Sequence, residues 1–557
     1  MDEIKSALLY SYKSEIKTPE SLAACLNAHG LYNIGQFVLR LSPINHALVD
    51  NATTKKAEDI TWDEIQAYST YIHETVHWWQ HIGSTSGLIS SMCFPAQTHV
   101  NVGHLRDIVK CGEFGKSLKE WSDDQMLQGR TAEEEVISKA NIAVNNTLDL
   151  DYYRAIIMNP RILLEIVKEN HFESVGHTFY IAYSCCLDVL TTTFNEVKCL
   201  PDTDLWREPI EHLKLSKSAN YHWQSDVYLP PITGIDVLEG QARFIQLQFL
   251  HFSNPSKSFA DYGARGYLDG VYGAAFKYFI GSTSSNFPDC IDDPLVALFL
   301  LVCDLALNPG EGFPFEITDY ENFSYQAQPA IRFAYLCQAI KNEHPELKDY
   351  IKEYSKEEYT SASALLADAC GYHHPLDVAR AVSEWVNKEP TLQALMREHS
   401  KFSFSEMNLP VRVIFSEFIK FNIFKLEQPE FFCWTGRHKV GRYVEHYIDA
   451  WLKNLSLYSD KEDDFGIYPR RQEGKSEENI HNTFNMFYGN LMQYDLIRQW
   501  IIQSGEFKYD FSWLSEKHEP SEVKEKVKEL FTNLFGVSPD EIEGAGWVKS
   551  RDSSYQS

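Results

Sequence analysis

Residues 62–82 constrain this chain more than any other stretch, because they read as one capped amphipathic helix that carries His73-Glu74-Thr75-Val76-His77. Thr61-Trp62-Asp63-Glu64 has the form of a capping box, with Thr61 at the N-cap and Glu64 at N3. Gly83 stands where a C′ glycine would end the helix. Trp62, Ile65, Tyr68, Ile72, Val76, Trp79 and Ile82 recur at spacings of three and four, which gives a buried stripe beside the His73 and His77 face. Helical residues four apart lie about 5 to 6 Å apart at Cβ, so the two imidazoles can converge on one metal ion. His81 extends the ladder, but eight residues of helix place it about 12 Å along the axis from His73, too far for one ion to bridge.

Two histidines leave a zinc ion short of a third protein ligand. Glu239, within Leu238-Glu239-Gly240-Gln241-Ala242-Arg243, is the best candidate. It falls in a second helix that starts near Thr233 and stops before Asn254-Pro255. Gly240 and Ala242 add little bulk beside it, which would let this helix approach the first closely. Other readings compete. Asp236-Val237-Leu238-Glu239 also fits a D-x-x-E capping pattern, and both histidines suit an ordinary half-buried helix that binds nothing.

The two motifs together resemble the gluzincin side of the zincin metallopeptidases, in which H-E-x-x-H is followed by a helix carrying a Glu ligand, often as E-G-x-A. The matching residues are His73, Glu74 and His77, then Glu239-Gly240-Gln241-Ala242, and Gln80 adds the H-E-x-x-H-x-x-Q form. The metzincin pattern needs a glycine at position 80 and a histidine at position 83, where this chain has Gln80 and Gly83. The resemblance covers two helices, separated by a long interval of 161 residues. Asn195-Glu196 begins like the N-E-x-x-S-D ligand motif of thermolysin-type enzymes, but Val197-Lys198-Cys199-Leu200 follows, which leaves Glu196 as the alternative carboxylate.

The resemblance implies an α+β, predominantly helical fold with a zincin-like catalytic domain and a small sheet. It also implies one Zn2+ on His73, His77 and Glu239, with Glu74 as general base for peptide-bond hydrolysis in a specific protein substrate. Gluzincins commonly supply a Tyr, His or Arg to the oxyanion. Arg243, one turn beyond Glu239, is a candidate for substrate binding, with a structural ion pair as its competing role. Tyr272, in the Tyr- and Gly-rich segment 262–278, is a candidate catalytic donor, and core packing competes for each tyrosine there.

The chain of 557 residues has 51 Lys plus Arg against 78 Asp plus Glu, a formal charge of −27, which disfavours nucleic acid and anionic membranes as partners. The expected partners are a protein or peptide substrate and a regulatory partner or activating signal. The N-terminus lacks the basic start and apolar core of a secretory signal, so a cytoplasmic location is expected. The longest apolar run, residues 294–303, is about half the length that crosses a bilayer. The 11 cysteines show no repeated metal spacing and suit buried reduced thiols.

A division is expected into a catalytic domain, 1–285, and a mostly helical accessory domain, 286–557, with a junction in Gly281-Ser282-Thr283-Ser284-Ser285-Asn286. Strands are expected within 32–45, an exposed charged excursion over 459–476, and a frayed tail from Trp547. Cys370-Gly371-Tyr372-His373-His374-Pro375 offers a weak second metal set, with capping or solvent-facing histidines as the plainer alternative. Two other functions compete with the peptidase: a non-proteolytic zinc hydrolase, and an interaction protein whose metal site is vestigial or structural.

Overall fold

The capping box forms as the sequence predicts. Thr61 Oγ1 accepts from the Glu64 amide and the Glu64 carboxylate accepts from the Thr61 amide at 2.8 Å, so the helix starts at Trp62 and runs to Gly83. The computed structural model describes residues 29–33, 35–131, 134–195, 197–441, 444–461, 464–511, 514 and 519–544. It is mostly helical, with one four-stranded sheet among the described residues. The strands are β1 (Gly30–Asn33), β2 (Val38–Leu41), β3 (Tyr458–Lys461) and β4 (Asp464–Pro469). The helices that position the site are α1 (Pro43–Thr54), α2 (Trp62–Gly83), α3 (Thr85–Lys110), α4 (Glu135–Met158), α5 (Val175–Thr193), α6 (Gly234–Ser253), α7 (Val271–Ser282), α8 (Pro294–Leu307) and α9 (Leu409–Glu427).

The long interval between the two motif helices is filled by packing. Ser84 ends α2 and also caps α3, so the chain turns within one residue, and α3, α4 and α5 then pack on one another. From there the chain returns so that α6 lies along α2, with its other side against α7 and α8. Most of α2 beyond Ser69 is buried, which explains why apolar residues at three- and four-residue spacing are joined by a buried polar face.

The sheet runs in the order β1-β2-β3-β4. β1 pairs antiparallel with β2, β2 pairs parallel with β3, and β3 pairs antiparallel with β4. Val38 therefore lies opposite Tyr458, which joins the two ends of the described chain. The expected strands within 32–45 end at Leu41, because Ser42 caps α1 and Pro43 takes its first turn.

The segment 459–476 departs from the sequence expectation. Its first part forms β3 and β4, and Asp460 is buried, accepting from the Leu41 amide at 3.2 Å and lying 2.7 Å from His46 Nε2. A charged residue enters a sheet here because its partners replace water. The expected boundary at residue 285 does not mark a break in the packing. One hydrophobic core extends from Tyr32 to Ile542, and α8 packs on α6 across that position. No helix among the described residues is long and apolar enough to cross a membrane. The tail from Trp547 lies outside the described residues.

Gly83 also has a different role from the C′ cap expected of it. It sits in the last turn of α2, and a Cβ there would come within 2.4 Å of the Phe421 ring on α9. Gly83→Ala is therefore expected to destabilise the fold by about 1–3 kcal/mol through overpacking, despite the better helix propensity of alanine. Urea unfolding checks this, and a neutral or stabilising result would contradict the packing role.

Candidate metal centre

The second motif helix begins with its own capping box. Thr233 Oγ1 accepts from the Asp236 amide and the Asp236 carboxylate accepts from the Thr233 amide. Asp236 is thus the N3 residue, and Glu239 stands one turn further in, outside the cap. The helix is locked to α2 by polar contacts. Gln80 Nε2 donates to Leu238 O and to Gln241 Oε1, each at 2.8 Å, and Gln246 Nε2 donates to Ser69 Oγ at 3.0 Å.

This registration brings His73, His77 and Glu239 together. The two Nε2 atoms are 3.2 Å apart, and each lies 3.4 Å from Glu239 Oε2. Ligand atoms on a tetrahedral zinc with bonds of about 2.0–2.1 Å are separated by about 3.3 Å. The three atoms therefore fit such an ion with almost no adjustment. Glu239 Oε2 is buried with no hydrogen-bond partner, as expected where an ion supplies the missing interaction.

Gln80 also sets the chemistry of His77. Its amide nitrogen is committed to α6, so its Oε1 faces His77 Nδ1 at 2.7 Å as an acceptor. The Nδ1 proton is then fixed, and Nε2 presents a lone pair to the centre.

Burial and mutual charge shift the titration of all three residues. Burial, helped by His77 and Arg243, pulls His73 down to about 4. At His77, burial works downward but the Glu239 carboxylate outweighs it and pushes the imidazole up to about 9. Glu239 feels burial upward, yet His77 and His73 hold it well below the usual carboxylate range. His81 is lowered to about 3 by burial and by His77, and it stacks on Tyr32 at 5.6 Å, away from the ligand set.

Glu74 is buried beside the centre, and burial pushes its carboxyl up to about 8. β1 crosses directly over it, since a Cβ on Gly30 would lie 2.7 Å from Glu74 Oε1. Arg243 and Tyr272 lie on the His73 side. The Tyr272 and His73 rings are 6.0 Å apart, and the Arg243 guanidinium rests 4.0 Å from the Tyr272 ring and 5.3 Å from that of Tyr267. Arg243 donates to Gln246 and has no ion pair among the described residues, so the competing structural pair is not formed there.

Some expectations are corrected. The small size of Gly240 serves the far side of α6, where a Cβ would meet Phe299 of α8 at 3.2 Å and Ala275 of α7 at 3.4 Å. Glu196 lies outside the described residues. His374 caps the helix Pro375–Lys388 and bonds Ser363 Oγ at 2.8 Å, while His373 faces Glu311 at 3.3 Å, so His374 takes the capping role and the two do not converge with Cys370.

Three features were not legible in the motif. They are the cover that Gly30 and Tyr32 form over α2, the pairing of partly exposed His46 with buried Asp460, and a cleft of about 1200 Å³ along the N-terminal half of α2. The cleft is lined by Tyr68, Tyr71, Phe249, Trp451, Lys439 and Arg470, among others, and the three ligand residues are not in its wall.

Gln80→Ala is expected to weaken zinc binding about 10–100-fold while the protein stays folded, measured by competition with a chelator. A second expectation concerns pH. In the metal-free protein, Glu74 has an ordinary value of 4.5 when unfolded and about 8 when folded, so the wild type loses stability as pH rises through that window. Glu74→Gln escapes the loss. It should match the wild type near pH 4 and exceed it above pH 8 by as much as roughly 5 kcal/mol. Urea unfolding across pH checks this, and a difference independent of pH would contradict it. Compared with protein-family models, curated proteins and solved structures, the chain matches none, so its functional reading rests on the geometry of its own residues.

Proposed function

We propose that this chain is a zincin-like, zinc-dependent endopeptidase that acts in the cytoplasm on a specific protein substrate. The observation that carries the reading is the 3.2–3.4 Å triangle of His73, His77 and Glu239 beside a buried Glu74. A zinc ion held there would act as a Lewis acid, acidifying water and polarising a substrate carbonyl. Glu74 would accept the proton of the attacking water and return it to the leaving amide nitrogen. Tyr272 and Arg243 hold the oxyanion or a substrate carbonyl from the His73 side.

A peptide is favoured as substrate because β1 is an end strand of the sheet among the described residues and runs over Glu74, where an extended chain can add along its edge. His73, Glu74 and His77 are each less than one-tenth exposed, whereas the Glu239 side chain is 27% exposed. Access is therefore narrow, which fits a selective enzyme that awaits a regulatory partner or signal.

The test compares wild type with Glu74→Gln on a denatured proteome, reading new peptide N-termini by mass spectrometry. The variant should keep its zinc and lose about 10²–10⁴-fold in cleavage rate. Equal cleavage by zinc-loaded wild type and variant would overturn the reading.

A further inference from the structure

The end of α6 carries a second convergence of metal-binding side chains. His251, in the last turn of the helix, meets Cys290 and Asp292 from the loop between α7 and α8, and one ligand atom of each lies within 4.8 Å of the others. The sequence contains no motif here, since 38 residues separate the histidine from the cysteine. The loop is fastened in place. Phe259 N donates to Asp289 O at 3.0 Å, and the Tyr354 hydroxyl donates to Asp292 O at 3.4 Å.

An independent observation points to a ligand. His251 is only 3% exposed, yet its ring makes no hydrogen bond among the described residues. Nδ1 is buried with no partner, and the carboxylate nearest Nε2, on Asp292, is 3.6 Å away, beyond hydrogen-bond reach. One ring nitrogen can serve an ion, and Nε2, which faces Asp292 without a hydrogen bond, is the one placed to do so. The separation from Asp292 is close to what a shared ion imposes, since nitrogen and oxygen ligands on a tetrahedral zinc sit about 3.4 Å apart and a sulfur ligand slightly further.

The geometry points to a second metal site, in which His251, Cys290 and Asp292 bind a zinc-class divalent transition metal. Imidazole, thiolate and carboxylate form a donor set that suits zinc or cobalt and is too soft for magnesium or calcium. Binding releases the Cys290 proton to solvent and leaves the thiolate on the ion. The half-exposed Asp292 side chain leaves an entry path from solvent. Glu239 and His251 are twelve residues apart on one helix, about 18 Å along the axis, so this ion is separate from the one at the first site. It pins the loop 283–293 to the end of the helix that presents Glu239, and its role is structural.

Cobalt titration of the metal-free full chain tests the assignment, because a thiolate ligand adds a near-ultraviolet charge-transfer band that a site of two histidines and a glutamate cannot give. The band should appear in the wild type and persist in His73→Ala, which removes the first site. It should vanish in Cys290→Ser together with one bound cobalt per chain. Asp292→Asn keeps the thiol and should raise the cobalt concentration needed for half-saturation severalfold. No band in the folded wild type, or a band unchanged in Cys290→Ser, would overturn the proposal. Because the band reports only the sulfur site, it remains interpretable whether or not the first site binds metal.

Discussion

The contact between α2 and α6 through Gln80 is the constraint on which the rest of the arrangement depends. One amide side chain donates twice to α6 and accepts from His77, so it sets both the register of the helices and the tautomer of His77. A slip of one residue along α6 would rotate Glu239 about 100° away from the histidines. The site is therefore as precise as this buried polar contact, and unmade hydrogen bonds in a dry interface are costly enough to enforce it.

The surrounding structure isolates that contact from water and loads it with charge. β1 covers Glu74, α8 and α7 support the far side of α6, and α9 closes on Gly83. Behind the site, Asp304 on α8 accepts from Lys425 on α9 at 2.7 Å and from the Tyr359 hydroxyl at 2.6 Å. A buried ion pair of this kind fixes how α8 and α9 meet, because removing one partner strands the other charge at a cost of about 3–5 kcal/mol. Rigidity behind the ligands and low exposure at Glu74 have the same source, a core continuous across the chain.

Local physics was legible in the sequence and long-range packing was not. Thr61 and Thr233 announced both motif helices, since caps and apolar spacing depend on neighbours within a few residues. The fold brings Glu239 beside His73 and His77, while the smallness of Gly240 serves the opposite face of α6. The pairing of β2 with β3 joins residues 420 apart, so the charged run near Asp460 reads locally as an exposed excursion. Gly83 misled for the same reason, because a terminal glycine looks identical whether it caps a helix or makes room for Phe421. His251, Cys290 and Asp292 share no helix face or motif, and only the folded chain brings them together.

The central claim is that His73, His77 and Glu239 hold one ion with Glu74 beside it. Anomalous diffraction at the zinc edge from crystals of the zinc-loaded protein tests it most directly. The account predicts a peak about 2.0–2.1 Å from both Nε2 atoms and from a Glu239 oxygen, with Glu74 outside the coordination shell. Zinc-loaded crystals with no peak at that point, or with Glu74 as a ligand in place of Glu239, would contradict it.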